Sequence, residues 1–174
     1  MELDIDLKSY VRNIPDFPKE GILFRDITPI LRNPEIFKLI NEIFYQKANE
    51  LIVKPTAIVA IESRGFIFGS ILADRMKLPL VLIRKENKLP HIIFKEQANA
   101  EYSDSSLEIH QEDLDSNDNV IIIDDVLAMG GTFDAAIKLV SACGAKVINL
   151  FTLMNLNLKP EFKDQKNLFS IINY

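Results

Sequence analysis

Tryptophan is absent from this chain of 174 residues, cysteine occurs once, histidine twice and glycine six times. A lone Cys143 cannot close an internal disulfide, and one thiol with His91 and His110 is too small a set for a structural zinc site, which points to a reducing cytoplasm. No stretch nears the roughly 18 apolar residues of a membrane span. The first ten residues carry Glu2, Asp4 and Asp6 and hold neither a basic leader nor an apolar run, so a soluble protein without a signal peptide is expected. Excess positive charge is missing too. A formal charge of -5 and a pI near 5.1 exclude a broad electrostatic grip on nucleic acid or an anionic membrane. Repeats, low-complexity segments and interdomain linkers are lacking, and a chain of this size buries roughly 70% of its unfolded surface, so one domain over 1–174 is expected.

What is present is alternation of short apolar runs with amphipathic segments. After a proline-punctuated loop from Ile14 to Gly21, a helix opens at Asn33-Pro34 with Ile36, Ile40, Ile43, Phe44, Ala48 and Leu51 on one stripe. Thr56–Ile61 reads as a buried strand, a second helix follows Glu62-Ser63-Arg64-Gly65 to about Met76, and Leu78–Ile83 returns as a strand. Asn119–Asp124 is another apolar strand, Phe133, Ala136, Ile137 and Val140 mark a helix ending near Gly144, and Lys146–Leu153 is a further strand. Strands apolar throughout, alternating with helices, imply an α/β fold whose mostly parallel sheet is covered by helices on both faces. Ligands on such sheets bind beyond the carboxyl ends of the strands.

Charge is segregated. Residues 75–95 hold Arg75, Lys77, Arg84, Lys85, Lys88 and Lys95 against one acid, Glu86. Residues 101–118 hold seven acids and neither lysine nor arginine, a block read first as a solvated face.

The segment with most chemical content runs from Val120 to Thr132. Asp124 and Asp125 close a buried strand and suit the paired hydroxyls of a ribose, directly or through a divalent cation. Gly130 and Gly131 let backbone N–H groups approach an anion at a helix N-terminus, and Thr132 adds a hydroxyl donor, so a phosphate fits. The pattern lacks the lysine of a Walker A loop and differs from the G-x-G-x-x-G dinucleotide fingerprint. The alternative is a tight strand-to-helix turn with two solvating acids. Elsewhere Phe24 by itself reads first as core and Cys143 as a small apolar residue near a helix end, while Arg84 and Lys85 read equally as a solvated strand end. His91 and His110 fall in no catalytic pattern.

With Pro15-Asp16-Phe17-Pro18, Phe24-Arg25-Asp26-Ile27-Thr28-Pro29, Glu62-Ser63-Arg64-Gly65-Phe66, Ile83-Arg84-Lys85 with Lys88-Leu89-Pro90, and Glu101-Tyr102 before Leu107-Glu108-Ile109, the chain resembles the type I phosphoribosyltransferases, specifically their adenine-specific branch. The resemblance spans nearly the whole chain. It implies a twisted, mostly parallel sheet with a small N-terminal hood at about 1–33 and a flexible catalytic loop at about 90–106. It implies conversion of adenine and phosphoribosyl pyrophosphate (PRPP) to AMP and pyrophosphate, with Mg2+ held mainly through PRPP oxygens, in a cytoplasmic homodimer.

Residue by residue, the resemblance puts Asp124 and Asp125 on the ribose and wraps Ala128, Met129, Gly130, Gly131 and Thr132 around the 5′-phosphate. It gives pyrophosphate to Ser63, Arg64, Arg84, Lys85 and Lys88, with a non-proline cis peptide in the Glu62–Arg64 turn. It gives the base to Phe24, the main chain of Arg25 and Leu127, and the purine proton to Glu101 beside Tyr102. Two departures from the family pattern stand out: Met129 stands where a Thr is usual, and in the loop His91-Ile92-Ile93 and Ser103-Asp104-Ser105 replace smaller or basic residues. Competing readings are a phosphoribosyltransferase for another purine base, and a non-catalytic PRPP-binding regulator of a nucleic acid, which would need a basic surface or a helix-turn-helix.

Overall fold

The computed structural model describes residues 5–100, 103–158 and 167–174. The chain divides into two compact units, Met1–Ile43 and Phe44–Tyr174. The first extends past the N-terminal region expected at 1–33.

In the first unit a 3-10 turn, Leu7–Tyr10, is capped by the Asp6 carboxylate, which accepts from the Lys8 N–H at 3.0 Å. Strands β1 (Arg12–Ile14) and β2 (Phe24–Asp26) pair antiparallel, with Arg12 opposite Asp26. That register lets Arg12 Nε donate to Asp26 Oδ2 at 2.8 Å, while the Thr28 N–H donates to Oδ1 at 2.9 Å. Asp26 thereby fastens the ribbon to a short helix, α1 (Thr28–Arg32). Helix α2 (Pro34–Glu50) begins where Asn33 accepts from the Ile36 N–H at 3.2 Å, and Pro34 opens it without losing a helical hydrogen bond.

The second unit is built on a seven-stranded sheet. Its strands are β3 (Ala57–Ile61), β4 (Leu80–Lys85), β5 (Ile93–Ala100), β6 (Ser103–His110), β7 (Asn119–Leu127), β8 (Lys146–Asn155) and β9 (Leu168–Asn173), in the order β5-β6-β4-β3-β7-β8-β9. The five strands from β4 to β9 are parallel, and β6 and β5 continue the sheet antiparallel. Helix α3 (Gly65–Met76) connects β3 to β4, and α4 (Gly131–Ala142) follows β7 and precedes β8. All five residues of β3 are buried, as are Val120–Ile123 of β7. α4 packs Phe133, Ala136, Leu139 and Val140 into a cluster with Val59, Ile61 and Ile122. Ala60 and Ile123, pointing the other way, meet α3 at Gly69. Helices therefore cover both faces, as the apolar strands require.

Three features differ from the sequence expectation. β7 does not end at Asp124 but runs to Leu127, because β8 is long enough to pair beyond it, with Val126 opposite Met154 and Leu127 opposite Asn155. Much of the segment expected as a loop at 90–106 is paired strand, with Lys95 opposite Glu108 and Gln97 opposite Ser106. β9 was not expected at all; it pairs parallel to β8 and buries Ile172.

Candidate active site

Three adjacent parallel strands deliver the candidate residues to one edge of the sheet. Ile61 lies opposite Ile83, and Ala60 opposite Ile123, so the turns after β3 and β4 and the carboxylates of β7 emerge at one level. β3 pairs no further than Ile123, whereas β8 holds β7 through Leu127. Asp124 and Asp125 are thus inside a strand on one side and beyond the last pairing on the other.

Both carboxylates are buried, at 8% and 2% exposure. Asp124 Oδ1 accepts from the Asp125 N–H at 2.8 Å. Arg64 Nε is 3.0 Å from Asp125 Oδ2, close enough to pair charge, yet that buried oxygen has no aligned hydrogen-bond donor. Burial pushes the Asp124 carboxyl well above the ordinary carboxylate range, and the adjacent Asp125 charge adds to the push. Burial also raises Asp125, against the opposing pull of Arg64. An acceptor pair held at this cost, with unfilled valence, is built to receive donors such as sugar hydroxyls.

Arg64 reaches Asp125 because of the turn before α3. The Glu62–Ser63 peptide is cis, and Arg64 caps the helix. Gly65 then passes so close to β7 that a Cβ there would lie 2.6 Å from the Ile123 carbonyl oxygen and 3.1 Å from Asp124 Oδ1. Only glycine permits that approach.

Just beyond the carboxyl end of β7, Gly130 takes φ +84°, and its carbonyl accepts the first helical bond of α4, from Asp134 N–H at 2.8 Å. The N–H groups of Gly131, Thr132 and Phe133 precede that bond and have no acceptor within the helix, so these donors and the positive end of the dipole could receive an anion. Ala128 is half-buried and the Met129 side chain is exposed.

Basic residues line the next turn. Glu62 Oε2 accepts from the Lys85 N–H at 2.9 Å and from Arg84 Nε at 3.2 Å, and Arg84 Nη1 donates to the Lys88 carbonyl at 3.3 Å. The turns after β3 and β4, which carry Ser63, Arg64, Arg84, Lys85 and Lys88, are therefore joined through one carboxylate.

Phe24 and Arg25 belong to the first unit, where Phe24 meets Phe17 edge-on at 5.1 Å and Arg25 Nη1 donates to Asn13 Oδ1 at 2.5 Å. Leu127 is buried, at 3% exposure, in the cluster under α4. Glu101 and Tyr102 lie outside the described residues. His110 Nε2 is 2.8 Å from the Pro90 carbonyl, a structural contact. Burial, with the nearby Asp113 charge, pushes the Cys143 thiol up, so it is no poised nucleophile. Sequence reasoning assigned no role to Glu62, Asp26 or Glu108. Each stands inside a motif, but its partners come from other strands or turns.

This geometry agrees with what the comparisons return. The phosphoribosyl transferase domain family matches residues 26–174, and the chain belongs to that family. Within it the chain groups with the adenine phosphoribosyltransferases. The enzyme of Carboxydothermus hydrogenoformans is 46% identical over 172 residues, which is 98% of this chain and 100% of that one. The solved structure of the Thermoanaerobacter pseudethanolicus enzyme superposes with a TM-score of 0.88 at 39% identity, covering 96% of this chain and 97% of that one. The Saccharomyces cerevisiae enzyme, complexed with D-2,5-dideoxy-2,5-imino-altritol 1,6-bisphosphate and adenine, gives a TM-score of 0.83 at 37% identity, covering 95% and 94%.

Proposed function

We propose that this chain transfers the phosphoribosyl group of PRPP to adenine, giving AMP and pyrophosphate. The observation that carries this reading is the buried Asp124–Asp125 pair, flanked by Arg64 on one side and by the glycine turn that opens α4 on the other. Ribose hydroxyls donate to the two carboxylates, the N–H groups of Gly131 and Thr132 take the 5′-phosphate, and Ser63, Arg64, Arg84, Lys85 and Lys88 receive the pyrophosphate. Phe24, the main chain of Arg25 and Leu127 are the residues we assign to the base.

The new bond forms between N9 of adenine and the anomeric carbon as the bond to pyrophosphate oxygen breaks, with inversion. Glu101 handles the N9 proton and Tyr102 stands beside it. Positioning does much of the work, since the sugar must meet the base and not water.

Mg2+ is the implied cofactor. Among the described residues no cluster of three or more histidines, cysteines, aspartates or glutamates is placed to hold a metal ion, so those residues form no all-protein cage. Asp124 and Asp125 are the hard oxygen donors that fit a magnesium ion otherwise ligated by water and substrate phosphates. When bound, the ion neutralises the leaving pyrophosphate. Among the described residues no helix is long and apolar enough to cross a membrane. A cytoplasmic homodimer is the assembly we assign, checked by sedimentation.

The direct test is AMP formation from adenine, PRPP and Mg2+, with chelator as control and hypoxanthine and guanine as competing bases. Product from adenine alone supports the reading, and equal turnover of the other bases overturns it. Glu101→Gln should lower turnover, and an unchanged rate would remove its proton role.

A further inference from the structure

β4 ends in Arg84 and Lys85, the turn to β5 adds Lys88, and Lys95 stands on the returning strand, against a single acid in the turn, Glu86. Such a turn repels itself and needs an anchor. The register supplies one from a third strand. Glu108 of β6 lies opposite Arg84 on one side and opposite Lys95 on the other. Leu107 and Ile109, its neighbours in the strand, point into the core under α4, so Glu108, Arg84 and Lys95 share the opposite face.

Glu108 is 3% exposed, which is unusual for a carboxylate. Oε1 accepts from the Asn87 N–H at 3.1 Å, at the residue where the turn reverses with φ +63°. Oε2 is buried with no hydrogen-bond partner. A buried, half-satisfied carboxylate costs free energy unless nearby cations offset it. Arg84 and Lys95 flank it on the two neighbouring strands, with Arg84 paired to Glu62 and Lys95 to Glu86.

We propose that Glu108 is a positioning residue for pyrophosphate. By fixing the backbone at Asn87 it sets the Lys88 carbonyl to which Arg84 donates, so that the leaving group meets cations already in place. Glu62 holds the other end of the same turn through the Lys85 N–H. The proposal rests on the turn being the pyrophosphate site, and its test separates the two ideas.

Steady-state constants for PRPP and adenine, and inhibition by inorganic pyrophosphate, are measured in the full chain and in the variants Glu108→Met, Glu108→Gln and Lys88→Ala, each with its melting temperature. Met fills the volume without an acceptor, so the sheet keeps its packing. Glu108→Met should raise the PRPP KM and the pyrophosphate inhibition constant roughly ten-fold, the factor given by about 1.4 kcal/mol. The adenine KM should stay within about two-fold, since the lost contact is made on the pyrophosphate side alone. Glu108→Gln keeps an acceptor for Asn87 and should recover most of the PRPP affinity. A merely structural role would lower the melting temperature without splitting the two substrates. If Lys88→Ala raises the PRPP KM while Glu108→Met leaves it unchanged, the positioning role is overturned. If Lys88→Ala has no effect, the reading of the turn fails, and the proposal fails with it.

Discussion

Replacing Gly65 with alanine puts a methyl group where the chain has no room for one. The new Cβ would lie 2.6 Å from the Ile123 carbonyl oxygen, about 0.8 Å inside the 3.4 Å at which ordinary contact begins, and 3.2 Å from Asp124 Cα. Both neighbours are backbone atoms of β7, where Ile123 is paired on both sides and Asp124 with β8, so neither can swing away as a flexible side chain would. Either α3 lifts or β7 is pushed at the two residues that carry the carboxylates. Overpacking of this kind costs about 1–3 kcal/mol. At roughly 2–4 °C per kcal/mol for a chain of this size, the melting temperature should fall by about 2–12 °C. Displacing Asp124 by much of an ångström should also lower kcat/KM for PRPP by roughly 10- to 100-fold.

Gly69→Ala is the control. Its Cβ would meet Ala60 Cβ at 2.6 Å and Ile123 Cγ2 at 3.0 Å, with neither carboxylate among its nearest atoms. It should lose comparable stability and far less activity. Thermal melts with and without PRPP, beside initial rates, separate the two effects. A Gly65→Ala protein that melts and turns over like the parent would refute the argument, as would equal loss of activity in Gly69→Ala.

Three further outcomes follow from the same geometry. Asp124→Asn should abolish most activity yet melt higher than the parent near neutrality. The native carboxyl is raised by burial, so its charged form costs stability above the folded pKa, and that cost disappears as pH falls below the unfolded value of about 4; a lower melting temperature at every pH would contradict this. Asp26 is the opposite case. Burial pushes it up, but the Thr28 N–H, the Thr28 hydroxyl and Arg12 outweigh that push and hold it below its ordinary value. Its contribution is therefore complete above the unfolded pKa and is lost as pH falls through the folded one. Asp26→Asn should cost about 1.5–3 kcal/mol at neutral pH and flatten the acid limb of the stability profile, read by chemical denaturation. Met129 is 37% exposed, so Met129→Thr adds a hydroxyl at the turn we assign to the 5′-phosphate without disturbing the core. It should lower the PRPP KM by up to roughly ten-fold, and an unchanged constant would show that the backbone donors suffice.

The positions of β3, α3, β7 and α4 were legible in the residues themselves. Ala57–Ile61 and Val120–Ile123 are apolar without interruption because both faces of a parallel strand are buried, and the Gly130-Gly131-Thr132 turn carries its conformation in its composition. The paired acids and the glycine turn were likewise visible, since they are contiguous along the chain. Tertiary structure alone decided which charges meet. Arg64 reaches Asp125, Glu62 joins Arg84 to the turn after β3, and Glu108 faces Arg84 and Lys95. It also carried β7 on to Leu127 and paired β5 with β6, whose polar stretches show little alternation. Composition and periodicity report which side of an element is buried. Register and strand order depend on packing between different segments of the chain, and those decide where a carboxylate finds its cation.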